Sequence, residues 1–169
     1  NSSCHGMLSD QSLYTRFFSG SKPPEKALTR WLESIDQEKH VSWGALHASR
    51  PEIPGVGIMH LIQLPQRPGV AEIAITVIDA YQRHGLGTYF LALLYALCPS
   101  LGIHTLIADV LESNQAVIQL VLALGGKITH ANKGGVALEL SMQTDWDALP
   151  QTSVLVSFQE KTAILQESL

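Results

Sequence analysis

Val70-Ala71-Glu72-Ile73-Ala74-Ile75-Thr76-Val77-Ile78, then Asp79-Ala80-Tyr81-Gln82-Arg83-His84-Gly85-Leu86-Gly87-Thr88, then Tyr89-Phe90-Leu91-Ala92-Leu93-Leu94-Tyr95-Ala96-Leu97: this stretch decides the fold. The first nine residues are apolar or β-branched except for Glu72, and they read as a strand. Leu86, Phe90, Leu93, Leu94 and Leu97 recur at helical spacing, and Pro99 closes that helix. Gly85 and Gly87 let the connecting turn curl tightly and approach a ligand without an intervening Cβ. The amides of residues 83 to 88 would face one concavity at a helix N-terminus, a site suited to an anion such as pyrophosphate. Arg83 adds a charge-assisted contact. A plain strand-to-helix turn also needs glycines, so the turn alone leaves both readings open.

Upstream, His40–Ala48 and Val56–Leu64 read as two more strands, parted by the turn-rich residues 49–54. Short turns make the three an antiparallel meander. Downstream, Thr105–Val110 is a short strand. Asn114 caps a helix with Val117, Leu120, Val121 and Leu124 inward, ended by Gly125-Gly126. Strands at Lys127–Ala131 and Val136–Ser141 follow. Val154–Phe158 reads as a strand or as part of the tail, and Gln159–Leu169 as a helix or frayed end. At the start, Ser9 caps a helix through Phe18, and Pro24 opens another through Ile35. The expectation is one α/β (α+β) domain over residues 1–169. It has a mixed, mostly antiparallel sheet and about four helices, with 1–7 disordered or foreign to the natural chain and 143–169 a C-terminal extension whose structure the pattern leaves undecided.

Composition narrows the function. Hydrophobic residues are 46% and charged residues 15% of the 169, enough for one well-built core. The formal charge of −4 opposes nucleic-acid binding. No apolar run reaches the roughly 18 residues of a membrane span. Cys4 and Cys98 form no disulfide framework, which fits the cytoplasm, and the seven histidines show no metal-ligand spacing. No metal is expected.

Gln82-x-x-Gly85-x-Gly87 resembles the [QR]-x-x-G-x-[GA] motif of the GNAT acetyltransferases, and the resemblance runs from about Val41 to Ser141. Neither the dinucleotide fingerprint nor the P-loop fits, since Phe90 replaces the third glycine of one and the other is missing. The resemblance implies acetyl-CoA as cosubstrate and a sheet that splays beside the third strand. Pantetheine would then lie along Ile75, Thr76 and Val77, with pyrophosphate on Arg83, His84, Gly85, Leu86, Gly87 and Thr88. An amide near Val77 would polarise the thioester carbonyl, and Asn114 would touch the cofactor besides capping its helix. The run Leu8 to Phe18 and Ala71-Glu72-Ile73-Ala74 are similar to Pat-type bacterial protein-lysine acetyltransferases. The first helices of such domains line the acceptor groove, which would bring Tyr14, Arg16 and Trp31 near substrate. In that group the domain is often fused to a cyclic-nucleotide-binding or acyl-CoA-synthetase-like region, and neither is read in these residues.

Acyl transfer to an amine needs the neutral amine, whose pKa near 10.4 keeps it protonated at pH 7. Glu72 is the ionisable residue of its apolar strand and falls ten residues before Gln82. Alternation sets it with Ala74 and Thr76, away from Ile73, Ile75 and Val77. Burial would raise its pKa and make it a general base; a wet carboxylate at a strand start is the plain alternative. Asp109, five residues before Asn114, is a second candidate base or a solvated strand-end residue. His84, within the phosphate turn, is a poor base. The tyrosine that many relatives place seven residues after the asparagine is here Val121, so another group or water protonates the thiolate. The acceptor is a protein lysine or a small amine such as a polyamine, amino acid or aminoglycoside. A catalytically weak acyl-CoA-binding module is the alternative of another class, and a homodimer stays open.

Overall fold

The computed structural model describes residues 33–50, 52, 55–132, 134–142 and 145–168. The expected helices at Ser9–Phe18 and Pro24–Ile35, residues 1–7, and Tyr14, Arg16 and Trp31 lie outside them, save residues 33–35. The elements are β1 (His40–Ala45), β2 (Gly57–Gln63), β3 (Val70–Val77), α1 (Leu86–Leu97), β4 (Thr105–Leu111), α2 (Gln115–Ala123), β5 (Lys127–Asn132), β6 (Gly135–Ser141) and α3 (Ser153–Ser168). The six strands form one sheet in the order β1-β2-β3-β4-β6-β5. The β1–β2–β3 meander is antiparallel, as are β4–β6 and β6–β5; β3–β4 is parallel. A parallel pair needs a long crossover, which α1 supplies. The architecture is the mixed, mostly antiparallel α/β sheet anticipated above, with three helices among the described residues.

Helix α1 is buried almost all round, from Phe90 through Ala96, rather than along the single stripe that its leucines suggested. One side packs on β2 and β3 and the other on α3. Leu155, Phe158, Thr162 and Leu165 are the buried face of α3, a three-four-three spacing that fits a helix laid on α1. Val154–Phe158 is therefore helix, not strand. Thr152 starts it: its Oγ1 accepts from Leu155 N–H at 3.2 Å and its carbonyl from Val156 N–H at 3.0 Å. Tyr95, Trp146 and Phe158 meet with ring centroids 5.2, 5.5 and 6.0 Å apart. Each such aromatic pair adds about 0.5–1.5 kcal/mol to its area burial.

The strand face toward the helices carries Met59, Leu61, Ala71, Leu106, Leu138 and Leu140, all nearly fully buried. The other face carries a polar row set by register: His40 opposite Ile62, Ile62 opposite Glu72, Glu72 opposite Ile107, Ile107 opposite Glu139, and Glu139 opposite Lys127. Residues directly opposite in a sheet share a face, so this row is one surface that runs across all six strands. On it His40 and His60 are buried, with His40 Nε2 at 3.3 Å from His60 Nδ1. Desolvation pushes both imidazoles below their ordinary range, His60 to about 3.

Candidate active site

Strands β3 and β4 pair only through Val70–Thr105, Ala71–Leu106 and Glu72–Ile107. Beyond that point β3 runs on to Val77 and β4 to Leu111 without further pairing to each other. The two strands part immediately after Glu72. On its other side β3 stays bonded to β2, where Leu64 N–H donates to Val70 O at 2.9 Å and Ile78 N–H to Val56 O at 3.1 Å. In an antiparallel ladder, the backbone groups of successive residues alternate between the two sides. Even-numbered residues of β3 therefore face β2, and Ile73, Ile75 and Val77 turn their amides toward the opened edge. Thr76, opposite Ile58, presents its backbone to β2 and only its side chain to the outer face. The core side of the strand is taken by Ile73, Ile75 and Val77, packed against the buried cluster. Glu72, Ala74 and Thr76 lie on the face away from α1, as alternation predicts.

A short 3-10 turn, Asp79–Tyr81, carries the chain from β3 to the glycine loop. Gln82 braces that loop: its Nε2 donates to Val77 O at 3.0 Å and to Asp79 Oδ1 at 2.8 Å. Arg83 takes φ 61°, costly for a side-chain-bearing residue, and Gly85 caps α1 at φ 86°. The first helix-type bond is Tyr89 N–H to Gly85 O at 2.9 Å. Among the described residues no backbone hydrogen bond takes up the amides of Arg83 to Thr88. No Cβ clash is met at Gly85 or Gly87, where a side chain would project into open space. His84 Nδ1 donates to Gln82 O at 2.7 Å, which ties the ring to its own turn.

Asn114 caps α2, its Oδ1 accepting from Val117 N–H at 3.4 Å. Ile118, Val121 and Leu124 are the buried residues that follow. Val121 is 5% exposed and faces the core, so the position seven residues past Asn114 presents no hydroxyl.

On the polar face, Glu72, Ile107 and Asp109 meet Thr129, Ala137, Glu139 and Arg67 around a cavity of about 200 Å³. Burial, with the negative charge of Asp109 next in size, pushes the Glu72 carboxyl up to about 7. Asp109 itself is exposed, opposite Ala137 on β6. Glu139 is held by Lys127 at 2.9 Å and by Arg67 at 3.9 Å. The sequence reading named Glu72 and Asp109 but neither Arg67 nor Glu139. Glu139 was detectable as the one charge in the alternation Val136, Leu138, Leu140, yet its nearness to Glu72 depends on β6 lying beside β4. Gln82, a motif residue in the sequence, has a physical role that only the folded turn shows, as the brace to Val77 O and Asp79 Oδ1. Among the described residues, no group of three His, Cys, Asp or Glu is placed to hold a metal ion, and no helix is long and apolar enough to cross a membrane.

A family model described as "Acetyltransferase (GNAT) domain" matches residues 3–127. The Acetyltransferase Pat of Mycolicibacterium smegmatis is 29% identical over 139 residues, which are 80% of this chain and 40% of that protein. This chain thus spans less than half the length of that relative. In structure it is similar to the GNAT domain of S. lividans PAT, with TM-score 0.60 and 24% identity over 79% of this chain and 78% of the other. It is likewise similar to yncA from Salmonella typhimurium, solved with its cofactor acetyl-CoA, with TM-score 0.59 and 17% identity over 83% and 90% of the two chains.

Proposed function

The chain belongs to the GNAT acetyltransferase family, and on that premise we propose that it moves an acetyl group from acetyl-CoA to a primary amine by direct attack. Glu72 is the general base of this reading. Its single strongest support is that β3 and β4 part at Glu72, whose carboxyl is raised to about 7 by burial. A base with a pKa near the working pH combines a large ionised fraction with useful driving force for taking a proton.

The parted edge suits the cosubstrate. Outward amides of Ile75 and Val77 can bond pantetheine as an added strand would, with Thr76 contributing its side chain from the outer face. The Val77 amide is the donor for the oxygen that gains charge as the thioester carbonyl is attacked. The open amides of Arg83, His84, Gly85, Leu86, Gly87 and Thr88 bind pyrophosphate at the N-terminus of α1, aided by the Arg83 side chain. Asn114, its Oδ1 spent on the cap, keeps its Nδ2 for the cofactor. Glu72 takes one proton from the ammonium and the freed lone pair attacks the carbonyl; the C–S bond breaks as the tetrahedral centre collapses, and the nitrogen's second proton passes to water. Water protonates the leaving thiolate, because Val121 supplies no proton and a thiol of pKa near 8.5 leaves without one.

The acceptor is a protein lysine in this reading, as the resemblance of Ala71-Glu72-Ile73-Ala74 to Pat-type protein-lysine acetyltransferases implies; free small amines are the alternative. A cytoplasmic setting belongs to the same reading, since Cys4 and Cys98 give no disulfide framework. The second reading, an acyl-CoA-binding module with feeble turnover, is favoured by Val121. Release of CoA thiol from acetyl-CoA separates these, measured with lysine peptides, folded acyl-CoA synthetases and small amines, for wild type and Glu72→Gln. Acceptor-dependent release that falls by about 10²–10⁴ in the variant supports the base. Cofactor binding without release for any acceptor supports the binding module.

A further inference from the structure

Gly69 precedes β3 at φ +76° and makes an unusual set of contacts. Its carbonyl accepts from two amides, His104 N–H at 2.9 Å and Thr105 N–H at 3.2 Å. The His104 ring lies against the glycine so closely that an added Cβ would meet Nε2 at 2.3 Å and Cδ2 at 2.4 Å. The same ring reaches Thr105 Oγ1 through Nδ1 at 3.1 Å, and the His104 carbonyl accepts from Met142 N–H at 2.9 Å. One residue thus ties together the β2–β3 turn, the first residue of β4 and the chain leaving β6.

This knot sits directly below the first of the three rungs that join β3 to β4, Val70–Thr105. Three rungs are a short ladder, and a sheet slipped by one residue turns every side chain to the opposite face. Because β3 is held in register by β2, a slip here would leave Glu72 on its face but move the point of parting off it and turn Ile107 and Asp109 of β4 toward the core. The doubly bonded Gly69 carbonyl fixes the register at the closed end, and the ring fixes the approach of the two backbones. We propose that the Gly69–His104 contact is the positioning element that sets where β3 and β4 part and thereby holds Glu72 at the vertex of the acyl-CoA cleft. The Glu72 part rests on the general-base reading above; the cleft part does not.

The full chain is compared as wild type, His104→Ala, His104→Asn, Gly69→Ala and Glu72→Gln, with melting temperature, acetyl-CoA affinity by calorimetry, and the pH dependence of turnover. His104→Ala lowers turnover and acetyl-CoA affinity each by about 10-fold to 100-fold, the scale of a displacement near 1 Å at a reacting centre. Its rate limb leaves the neighbourhood of pH 7. His104→Asn, which keeps a nitrogen for Thr105 Oγ1, recovers most of the loss. Gly69→Ala behaves like His104→Ala or fails to fold, and in the second case the His104 pair carries the test. If His104→Ala only lowers the melting temperature, with affinity, rate and pH limb unchanged, the contact is structural and the proposal is overturned. If Glu72→Gln keeps full turnover while His104→Ala still weakens acetyl-CoA binding, the base assignment fails and the clamp on the cleft stands.

Discussion

Glu72 stands opposite Ile107 at the last rung where β3 and β4 are paired. The carboxyl therefore lies at the apex of the parted strands, half-buried, with a pKa pushed up to about 7 from its ordinary 4.5. Burial favours the neutral form, so the group is mostly protonated below pH 7 and able to take a proton above it. Turnover with an amine acceptor should rise with pH through a limb near 7, and Glu72→Gln should abolish that limb. The same shift fixes the sign of a stability effect. A carboxyl with a raised folded pKa stabilises least once ionised, so its cost appears as pH climbs from 4.5 through 7. Glu72→Gln should leave stability little changed at pH 4.5 and raise it at pH 8 by roughly 1 kcal/mol after allowing for solvent screening, seen as a higher melting temperature. A variant less stable than wild type at pH 8 would count against the buried-carboxylate account.

The two glycines of the turn should respond in opposite directions. Gly85 holds φ 86°, so Gly85→Ala should cost roughly 1 kcal/mol of folding. The same strain would disturb the amides of Arg83 to Thr88 and weaken acetyl-CoA binding about tenfold. Gly87 lies inside α1, with no positive φ and nothing within 4 Å of an added Cβ. Gly87→Ala should therefore stabilise by about 0.5–1 kcal/mol through helix propensity. The KM for acetyl-CoA should stay within about twofold, as the alanine allowed by the motif implies. Thermal unfolding and a cofactor titration on both variants check the contrast.

Much of this arrangement was legible before any coordinates. The strand with one charge, the glycine turn and the leucine-spaced helix are local patterns, and β3, the turn and α1 fall where they were expected within a residue. Alternation alone put Glu72 on the face away from Ile75 and Val77. What escaped is what depends on distant parts of the chain meeting. The second side of α1 is covered by α3, yet the β-branched Val154 and Val156 favour a strand by propensity. Packing against Tyr95 and Trp146 decides for a helix. Likewise Thr129 and Glu139 join Glu72 only because β6 inserts between β4 and β5, an order that no local signal in β5 or β6 carries.

That cover should be essential to the fold. Phe158 is fully buried against Tyr95 and Trp146. Phe158→Ala should cost about 3–5 kcal/mol, seen as a lower urea midpoint with an unchanged slope. A loss below 1 kcal/mol would show that α3 is a loosely held appendage.

Asp109 offers a separate handle on Glu72, because the two carboxyls share one cavity and the charge of Asp109 is the second cause of the raised Glu72 value. Like charges disfavour ionisation, so removing one should let the other ionise at lower pH. Asp109→Asn should move the rate limb to lower pH without abolishing it. Turnover at pH 6 should therefore rise relative to wild type, while turnover at pH 8, where Glu72 is already ionised in both, should stay nearly the same. The shift should shrink in high salt, since Asp109 is exposed and its field is screened. If Asp109 were itself the base, the outcome would reverse: Asp109→Asn would lose rate at every pH and the limb would vanish, while Glu72→Gln would keep it. The pair of pH profiles therefore assigns the proton to one carboxyl or the other.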